Sequence, residues 1–167
     1  MSTTALVTVE EYLHTSFPDG DREYVDGRIV ERNMGEVDHS DVQSSFLTYL
    51  RVHYKKFWAG VAVRIQVKAT RFRVPDVCLV LGSKTEGMII TKPPFLVIEV
   101  LSRDDRVDDL QEKIDDYLAF GVRYVWVVNP RTQRGYVHTS EGSREAKKGL
   151  LQTQDPEVKV PLSEILA

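Results

Sequence analysis

The chain has 167 residues, of which 42% are hydrophobic and 28% charged, and its formal net charge is −3. This length suits one globular domain with its own core, so we predict a single domain over residues 1–167. The only cysteine, Cys78, excludes a disulfide framework within the chain. No apolar run approaches the roughly 18 residues of a membrane span, and no leader pattern opens the chain, so we expect a cytoplasmic protein without a membrane partner.

The first elements are predicted from short local signals. Thr8 followed by Glu11 makes a capping box, which predicts a short helix that ends before Pro18. Asp26-Gly27 stands between two runs that alternate charged and apolar residues. That dipeptide is typical of a two-residue β-hairpin.

A long helix and a long strand follow in the prediction. Asp38 is a plausible N-cap for a helix from His39 to Trp58, which Gly60 would end. Alternation from Val61 to Ala69 predicts one half-buried strand. The chain is then expected to turn between Ala69 and Arg73 before the next strand begins.

The pattern of apolar residues in the middle of the chain predicts a buried sheet. Apolar runs at Val77–Leu81 and Phe95–Leu101 read as strands buried on both faces. A helical period then starts after Ser102 and stops at Gly121, and another strand begins at Val122. Two strands joined through a helix favour a parallel pair in a mixed sheet, so the predicted class is α/β.

Two acids stand out in this region. Glu99 lies inside an apolar strand, where burying an ionised carboxylate is expensive without a partner, and Asp76 opens the preceding strand. If the two strands lie side by side, the carboxylates come together, and oxygen ligands suit a hard divalent cation. The alternative readings are a turn contact for Asp76 and a buried ion pair for Glu99.

These residues resemble the PD-(D/E)xK, or restriction-endonuclease-like, superfamily, and within it the bacterial Uma-two family, also called domain of unknown function 820. The matching features are EYVDGRIVE, the helix with His39, VPDVCLV, VIEVLS, the spaced Lys113 and Tyr117, and GVRYVWVVNP. The resemblance implies a restriction-endonuclease-like core: an α-β-β-β-α-β mixed sheet flanked by helices. A helix and hairpin precede this core, and β additions follow it.

The same resemblance implies that Asp76 and Glu99 bind one or two Mg²⁺ or Mn²⁺ ions together with the Val100 carbonyl. The lysine of the E-x-K motif is missing, because Leu101 stands two residues after Glu99. Lys113 is the candidate replacement, from the rim of the apolar face of the following helix. A solvent-facing partner of Asp109 or Asp116 is the alternative for Lys113.

Further site residues follow from the resemblance. His39 is a candidate ligand or general base, or else an exposed polar residue. Glu23 is a candidate added metal ligand, or else a cross-hairpin partner of Arg28 or Arg32. The predicted substrate-binding residues are Gln66, Lys68, Arg71 and Arg73.

Three functions remain open on the sequence. The first is a Mg²⁺-dependent endonuclease that hydrolyses phosphodiester bonds in nucleic acid, with DNA as the expected partner. The second is a nuclease-fold binding or scaffold protein that has lost catalysis and acts as a homodimer through a strand edge. The third is a metal-dependent hydrolase of small phosphate esters, which the lack of a broad basic surface favours.

Overall fold

The computed structural model describes residues 5–33 and 35–166, so the ends of the predicted single domain, 1–4 and 167, lie outside the described residues. In the described part, the α-helices are α1 Val9–Leu13, α2 Val37–His53 and α3 Val107–Phe120. The strands are β1 Glu23–Val25, β2 Arg28–Val30, β3 Trp58–Val61, β4 Ile65–Lys68, β5 Arg71–Arg73, β6 Val77–Val80, β7 Leu96–Val100, β8 Tyr124–Asn129, β9 Arg134–Thr139, β10 Gly142–Glu145, β11 Leu150–Gln152 and β12 Lys159–Pro161. Short 3₁₀ turns cover Lys147–Gly149 and Leu162–Glu164.

Six strands form a central sheet in the order β10-β9-β8-β7-β6-β3. In it β7 and β8 are parallel, as the helix between them predicts, and the other neighbours are antiparallel. A second sheet, β2-β1-β5-β4, is antiparallel, and β11 pairs with β12. The predicted α/β class is confirmed, because α2, β3, β6, β7, α3 and β8 follow one another in the expected order of the core.

The two long helices cover opposite faces of the central sheet. Phe46 of α2 belongs to one core cluster with Leu96 and Ile98 of β7, whereas Tyr117 of α3 belongs to a second cluster with Val97. Side chains alternate between the faces of a strand, so Glu99 shares the face of Val97. The strand that carries Glu99 therefore directs it toward α3.

The two N-terminal predictions are confirmed. The Thr8 hydroxyl accepts a hydrogen bond from the Glu11 backbone N–H at 3.1 Å, which caps α1. Asp26 and Gly27 form the turn of the β1–β2 hairpin with φ values of 49° and 95°. Both positive φ angles match the two-residue hairpin turn that the Asp-Gly pair predicts.

The predicted bounds of α2 are wrong at both ends. The helix begins at Val37 with Glu36 in the cap position, and it ends at His53. Trp58 and Gly60 lie in β3, and a Cβ on Gly60 would overlap the Trp58 ring. Gly60 is therefore needed for a close approach inside a strand and does not end the helix.

The predicted strand from Val61 to Ala69 is also wrong, because it is two strands in different sheets. Ala62 has a φ of 51°, and the chain leaves the central sheet there before β4 begins at Ile65. The expected turn between Ala69 and Arg73 contains β5, which pairs with both β4 and β1. The chain changes direction at Ala62 without a glycine, so the sequence contains no local signal for this break.

Smaller findings concern the exposure of two apolar side chains and the secondary structure after Ser140. Leu81, in a run expected to be buried on both faces, is 43% exposed, and Val107 at the start of α3 is 81% exposed. The charged segment after Ser140 contains the exposed strand β10. Over the described ranges, no helix combines the length and the apolar character needed to cross a membrane.

Candidate active site

The two predicted carboxylates come together at the end of neighbouring strands. Val77 of β6 is paired with Ile98 of β7, so the next step of the antiparallel register places Asp76 beside Glu99 on the same face. Both side chains are buried. The backbone N–H of Val100 donates to Oδ2 of Asp76 at 2.7 Å, which ties the two strand ends together.

Lys113 reaches these acids from α3. Its Nζ lies 3.4 Å from Oε2 of Glu99 and 3.3 Å from Oε2 of Glu23, the first residue of β1. Oε2 of Glu23 also accepts the Val74 backbone N–H at 2.7 Å. We refer to Glu23, Asp76, Glu99 and Lys113 as the carboxylate cluster. The ion pair considered for Glu99 is thus formed, and it involves the lysine proposed to replace Leu101.

The carboxylate cluster lies on the wall of a pocket of about 330 Å³. The pocket is bounded by the β1–β2 hairpin, the end of β7 and the first half of α3. Its wall also carries the basic residues Arg28, Arg32, Arg73 and Arg106. A concave site with buried acids and several cations around it can accept an anionic substrate next to a metal ion.

The pKa values of Glu99 and Asp76 are shifted in opposite directions. Burial raises the pKa of Glu99 to about 7, since the charge of Lys113 only partly offsets the burial and the negative charges of Asp76 and Glu23. Burial also raises the pKa of Asp76, but the hydrogen bond and charge of His39, with the charges of Arg32 and Lys113, lower it below its usual value overall. Asp76 is therefore ionised at neutral pH, and Glu99 exchanges its proton in that range.

The Lys113 ammonium remains charged in this environment. Burial lowers the pKa of Lys113, but the carboxylates of Glu23, Glu99 and Asp76 outweigh it and raise that pKa above its usual value. A permanently protonated ammonium cannot accept a proton from water. The chemistry open to Lys113 is that of a fixed positive charge that stabilises developing negative charge or orients a water molecule.

His39 lies in the first turn of α2, and the structure buries it, which excludes the exposed alternative. Its Nε2 lies 3.2 Å from Oδ1 of Asp76. Burial lowers the pKa of His39, but the hydrogen bond and charge of Asp76 raise it above its usual value overall. His39 therefore holds Asp76 in place, and the contact with Asp76 brings it to the edge of the carboxylate cluster.

Arg32 and Tyr117 contact the carboxylate cluster but were not predicted as site residues. Nη2 of Arg32 donates to Oδ1 of Asp76 at 2.9 Å, and the Tyr117 hydroxyl donates to Oε1 of Glu99 at 2.8 Å. Tyr117 follows Lys113 by four residues, so the helical period could have identified it. Arg32 follows β2 in a segment without regular structure, where no periodicity indicates the direction of a side chain.

The four predicted substrate-binding residues are placed unequally. Only Arg73 among them lies on the pocket wall, and its guanidinium pairs with Asp116 at 2.8 Å. Arg71 also contacts Asp116, at 3.0 Å, and Lys68 lies 3.6 Å from that carboxylate. The Gln66 side-chain amide donates to the Ala69 carbonyl at 3.3 Å. Arg71 and Arg73 are thus engaged by acids, and their contact with substrate stays a prediction.

The carboxylates of the pocket fit a hard cation that needs only two protein ligands. In residues 5–33 and 35–166, no group of three or more His, Cys, Asp or Glu side chains is arranged to hold a metal ion. Mg²⁺ keeps several water ligands and needs only one or two protein carboxylates. Asp76 and Glu99 provide that number of carboxylates, and Lys113 lies between Glu99 and Glu23 at 3.4 and 3.3 Å. Glu23 and the Val100 carbonyl as additional ligands stay predictions.

A mixed sheet between two helices, with paired acids and a lysine in a pocket at its end, is a nuclease-like α/β arrangement. The chain belongs to the Uma2 family, whose model is described as "putative restriction endonuclease" and matches residues 9–166. A solved structure with the same fold is a "putative nuclease" of the domain of unknown function 820 from Anabaena variabilis. It has a TM-score of 0.81 and 20% identity, over 96% of this chain and 97% of that chain. No curated protein matches the sequence.

Proposed function

We propose that this protein is a metal-dependent endonuclease that hydrolyses phosphodiester bonds in DNA, with Mg²⁺ or Mn²⁺ held by Asp76 and Glu99. The observation that carries the proposal is the position of Lys113. The strand position that normally provides a lysine holds Leu101, yet an ammonium from α3 lies 3.4 Å from Glu99. Two carboxylates and one ammonium, the charged groups that the proposal requires, therefore lie close together, although the ammonium comes from a different element.

The residues around the site have separate tasks in this mechanism. Asp76 and Glu99 would hold the divalent cation, which would supply an activated water and positive charge for the phosphate. Val100 and His39 fix Asp76 through hydrogen bonds, and Tyr117 orients Glu99. Lys113 provides a fixed positive charge for the extra negative charge that develops as water adds to phosphorus and the ester oxygen leaves.

Cleavage assays with matched variants test this proposal. The substrates are supercoiled plasmid and single-stranded DNA, each with Mg²⁺, with Mn²⁺ and with EDTA. The variants are Asp76→Asn and Glu99→Gln, which keep the size of the side chain, and Glu157→Gln serves as the control because Glu157 lies on the surface in a pair with Lys159. We expect metal-dependent cleavage by the wild type and the control, and a loss of about 10²-fold or more in the two site variants.

The result that contradicts the proposal is equal residual cleavage by the wild type and both site variants, since a contaminant would then be the source. Calorimetric titration with Mn²⁺ is an independent readout. We expect binding by the wild type that Glu99→Gln weakens, because a neutral amide is a poorer ligand than a carboxylate for a hard cation.

One observation favours a second function, a catalytically silent nucleic-acid-binding protein. Each central carboxylate already has a positively charged neighbour, Arg32 for Asp76 and Lys113 for Glu99. A site compensated in this way does not require a metal ion for stability. This function predicts DNA binding that persists in EDTA and weakens with salt, without specific Mn²⁺ binding.

A further inference from the structure

Arg32 makes a contact that the proposed function leaves unexplained. Its side chain is only 3% exposed, and its Nη2 lies 2.9 Å from Oδ1 of Asp76, the carboxylate proposed to hold the cation. Oδ1 also faces Nε2 of His39, while Oδ2 accepts the Val100 N–H. The positive charge of the guanidinium therefore stands at the acid that a divalent cation must approach.

A guanidinium and a divalent cation compete at such a position. Both are positively charged, and repulsion between charges a few ångströms apart is strong in a buried site, where the effective dielectric constant is low. A cation that binds Asp76 therefore weakens the contact with Arg32. A guanidinium whose contact with Asp76 is weakened can direct N–H groups to an anion that enters the pocket.

The backbone beside Arg32 is fixed, so a change of partner falls on the side chain. The Asn33 side-chain amide donates to Oδ1 of Asp105 at 2.8 Å, and the Ser102 hydroxyl donates to the Asn33 carbonyl at 3.0 Å. These contacts attach the segment after β2 to the loop after β7. Rotation about the side-chain bonds of Arg32 can move its guanidinium within the pocket without moving that segment.

The pocket determines the kind of acceptor that the guanidinium can find. Arg32 lies on the same pocket wall as Lys113 and the paired acids, where a substrate phosphate would enter. Arginine pairs with two phosphate oxygens at once through parallel N–H groups. Arg73, on the same wall, pairs with the buried acid Asp116 at 2.8 Å and is less suited to this task.

We propose that Arg32 is a phosphate-binding residue of the active site, and that in the absence of cation and substrate its guanidinium neutralises Asp76. This inference rests on the proposed function. It has a thermodynamic consequence: the cation displaces Arg32 from Asp76, and a substrate phosphate that holds Arg32 favours cation binding. By reciprocity, the cation increases the affinity for substrate by the same factor.

The test compares Arg32→Gln with Arg32→Lys and with Arg144→Gln. Arg144 is an exposed arginine on β10, so its replacement removes the same charge outside the pocket. Mn²⁺ binding is measured by calorimetry without DNA. We expect Arg32→Gln to bind Mn²⁺ about tenfold more tightly than the wild type, because the competing charge is gone. Arg32→Lys retains a charge and Arg144→Gln retains Arg32, so both keep wild-type affinity.

Cleavage provides the second readout, in the opposite direction. At saturating Mn²⁺ we expect kcat of Arg32→Gln to fall by about 10²-fold, since a group that stabilises phosphate charge is lost. A residue that only supports the fold would not tighten metal binding while slowing cleavage. If Arg32→Gln does not fold, Arg32→Met, which also removes the charge, carries the same two readouts, tighter Mn²⁺ binding and a reduced kcat.

The outcomes separate this inference from the proposed function. Metal binding and cleavage by the wild type, with the same Mn²⁺ affinity or the same kcat in Arg32→Gln, would overturn the inference alone. Mn²⁺ binding by Arg32→Gln but not by the wild type would support the competition and contradict the proposed function of the native chain. Absence of Mn²⁺ binding in both would overturn both.

Discussion

Replacing Lys113 by methionine tests how strongly the carboxylate cluster depends on its one ammonium. Nζ lies 3.3 Å from Glu23 and 3.4 Å from Glu99, and only 16% of the Lys113 side chain is exposed. Each contact corresponds to a gross attraction of about 5 kcal/mol at an effective dielectric constant of ~20, most of which desolvation offsets. Methionine keeps the aliphatic length and removes the charge, so two buried acids lose their shared partner.

The expected loss of stability depends on pH. Removing one member of a buried ion pair costs ~3–5 kcal/mol, and the lower end applies at pH 8 because Glu23 keeps the Val74 N–H and Glu99 keeps the Tyr117 hydroxyl. At pH 6 the loss should be about half as large, since Glu99, with a pKa of about 7, then binds a proton and no longer needs a cation.

Urea unfolding at both pH values measures these losses. The matched control is Lys159→Met, because Lys159 lies at the same 3.3 Å from Glu157 but is 46% exposed. Exposed pairs contribute below ~1 kcal/mol, so this variant should remain near the wild type at both pH values. A loss for Lys113→Met that is as small as that of the control, or that is equal at pH 6 and pH 8, would refute the reasoning.

Three further predictions concern the same region and its supports. The folded protein holds the Glu99 proton up to about pH 7 against 4.5 for an ordinary glutamate, so its contribution to stability is full below pH 4.5 and is lost as the pH rises through 7. Unfolding titrations from pH 5 to 8 should therefore show Glu99→Gln gaining stability relative to the wild type, and parallel curves would contradict this. Tyr117→Phe removes the 2.8 Å hydrogen bond to Glu99 and should lower the free energy of unfolding by ~1–2 kcal/mol at pH 8 in urea; an unchanged midpoint would show that water replaces the hydroxyl. Gly121→Ala should lower it by ~1–2 kcal/mol, because φ is 116° and the new Cβ would stand 3.0 Å from Pro93. Gly82→Ala, with φ of 94° and open space, isolates the backbone part of that loss, and equal thermal shifts would exclude a role for the Pro93 contact.

Elements with strong local signals could be predicted from the sequence. The Asp26-Gly27 turn requires positive φ at both residues, and these residue types tolerate it better than most. The helix α3 ends at Gly121 in the left-handed conformation that only glycine adopts readily. Such elements are determined by residues close together in the chain, so their prediction does not depend on tertiary contacts.

Elements that depend on distant partners could not be predicted from pattern alone. The alternating run after Gly60 gives no local reason to divide at Ala62, whose positive φ is unusual for alanine. Strand β5 has three residues and obtains its hydrogen bonds from β4 and β1. A strand of that length is stabilised by its neighbours, which are known only once the chain is folded.

The residues of the candidate site also differ in how well the sequence predicts them. Asp76 and Glu99 were identified because acids are costly in apolar strands, and the structure brings both to one end of the sheet. The role proposed for Lys113 depended on a helical wheel and is consistent with its contacts. Arg32 gave no such signal, because a buried arginine in an irregular segment looks like an ordinary surface residue in the sequence.

The pocket is assembled from two sheets, and this links the charges around the paired acids to the hairpin. The paired acids come from the six-stranded sheet, whereas the hairpin that brings Glu23 and lies just before Arg32 belongs to the four-stranded sheet. Glu23 contacts Lys113 at 3.3 Å, and Arg32 contacts Asp76 at 2.9 Å. Because Glu23 raises the pKa of Glu99 and Arg32 lowers it, the charge balance of the acids on the six-stranded sheet depends on residues supplied by the hairpin and the segment after it.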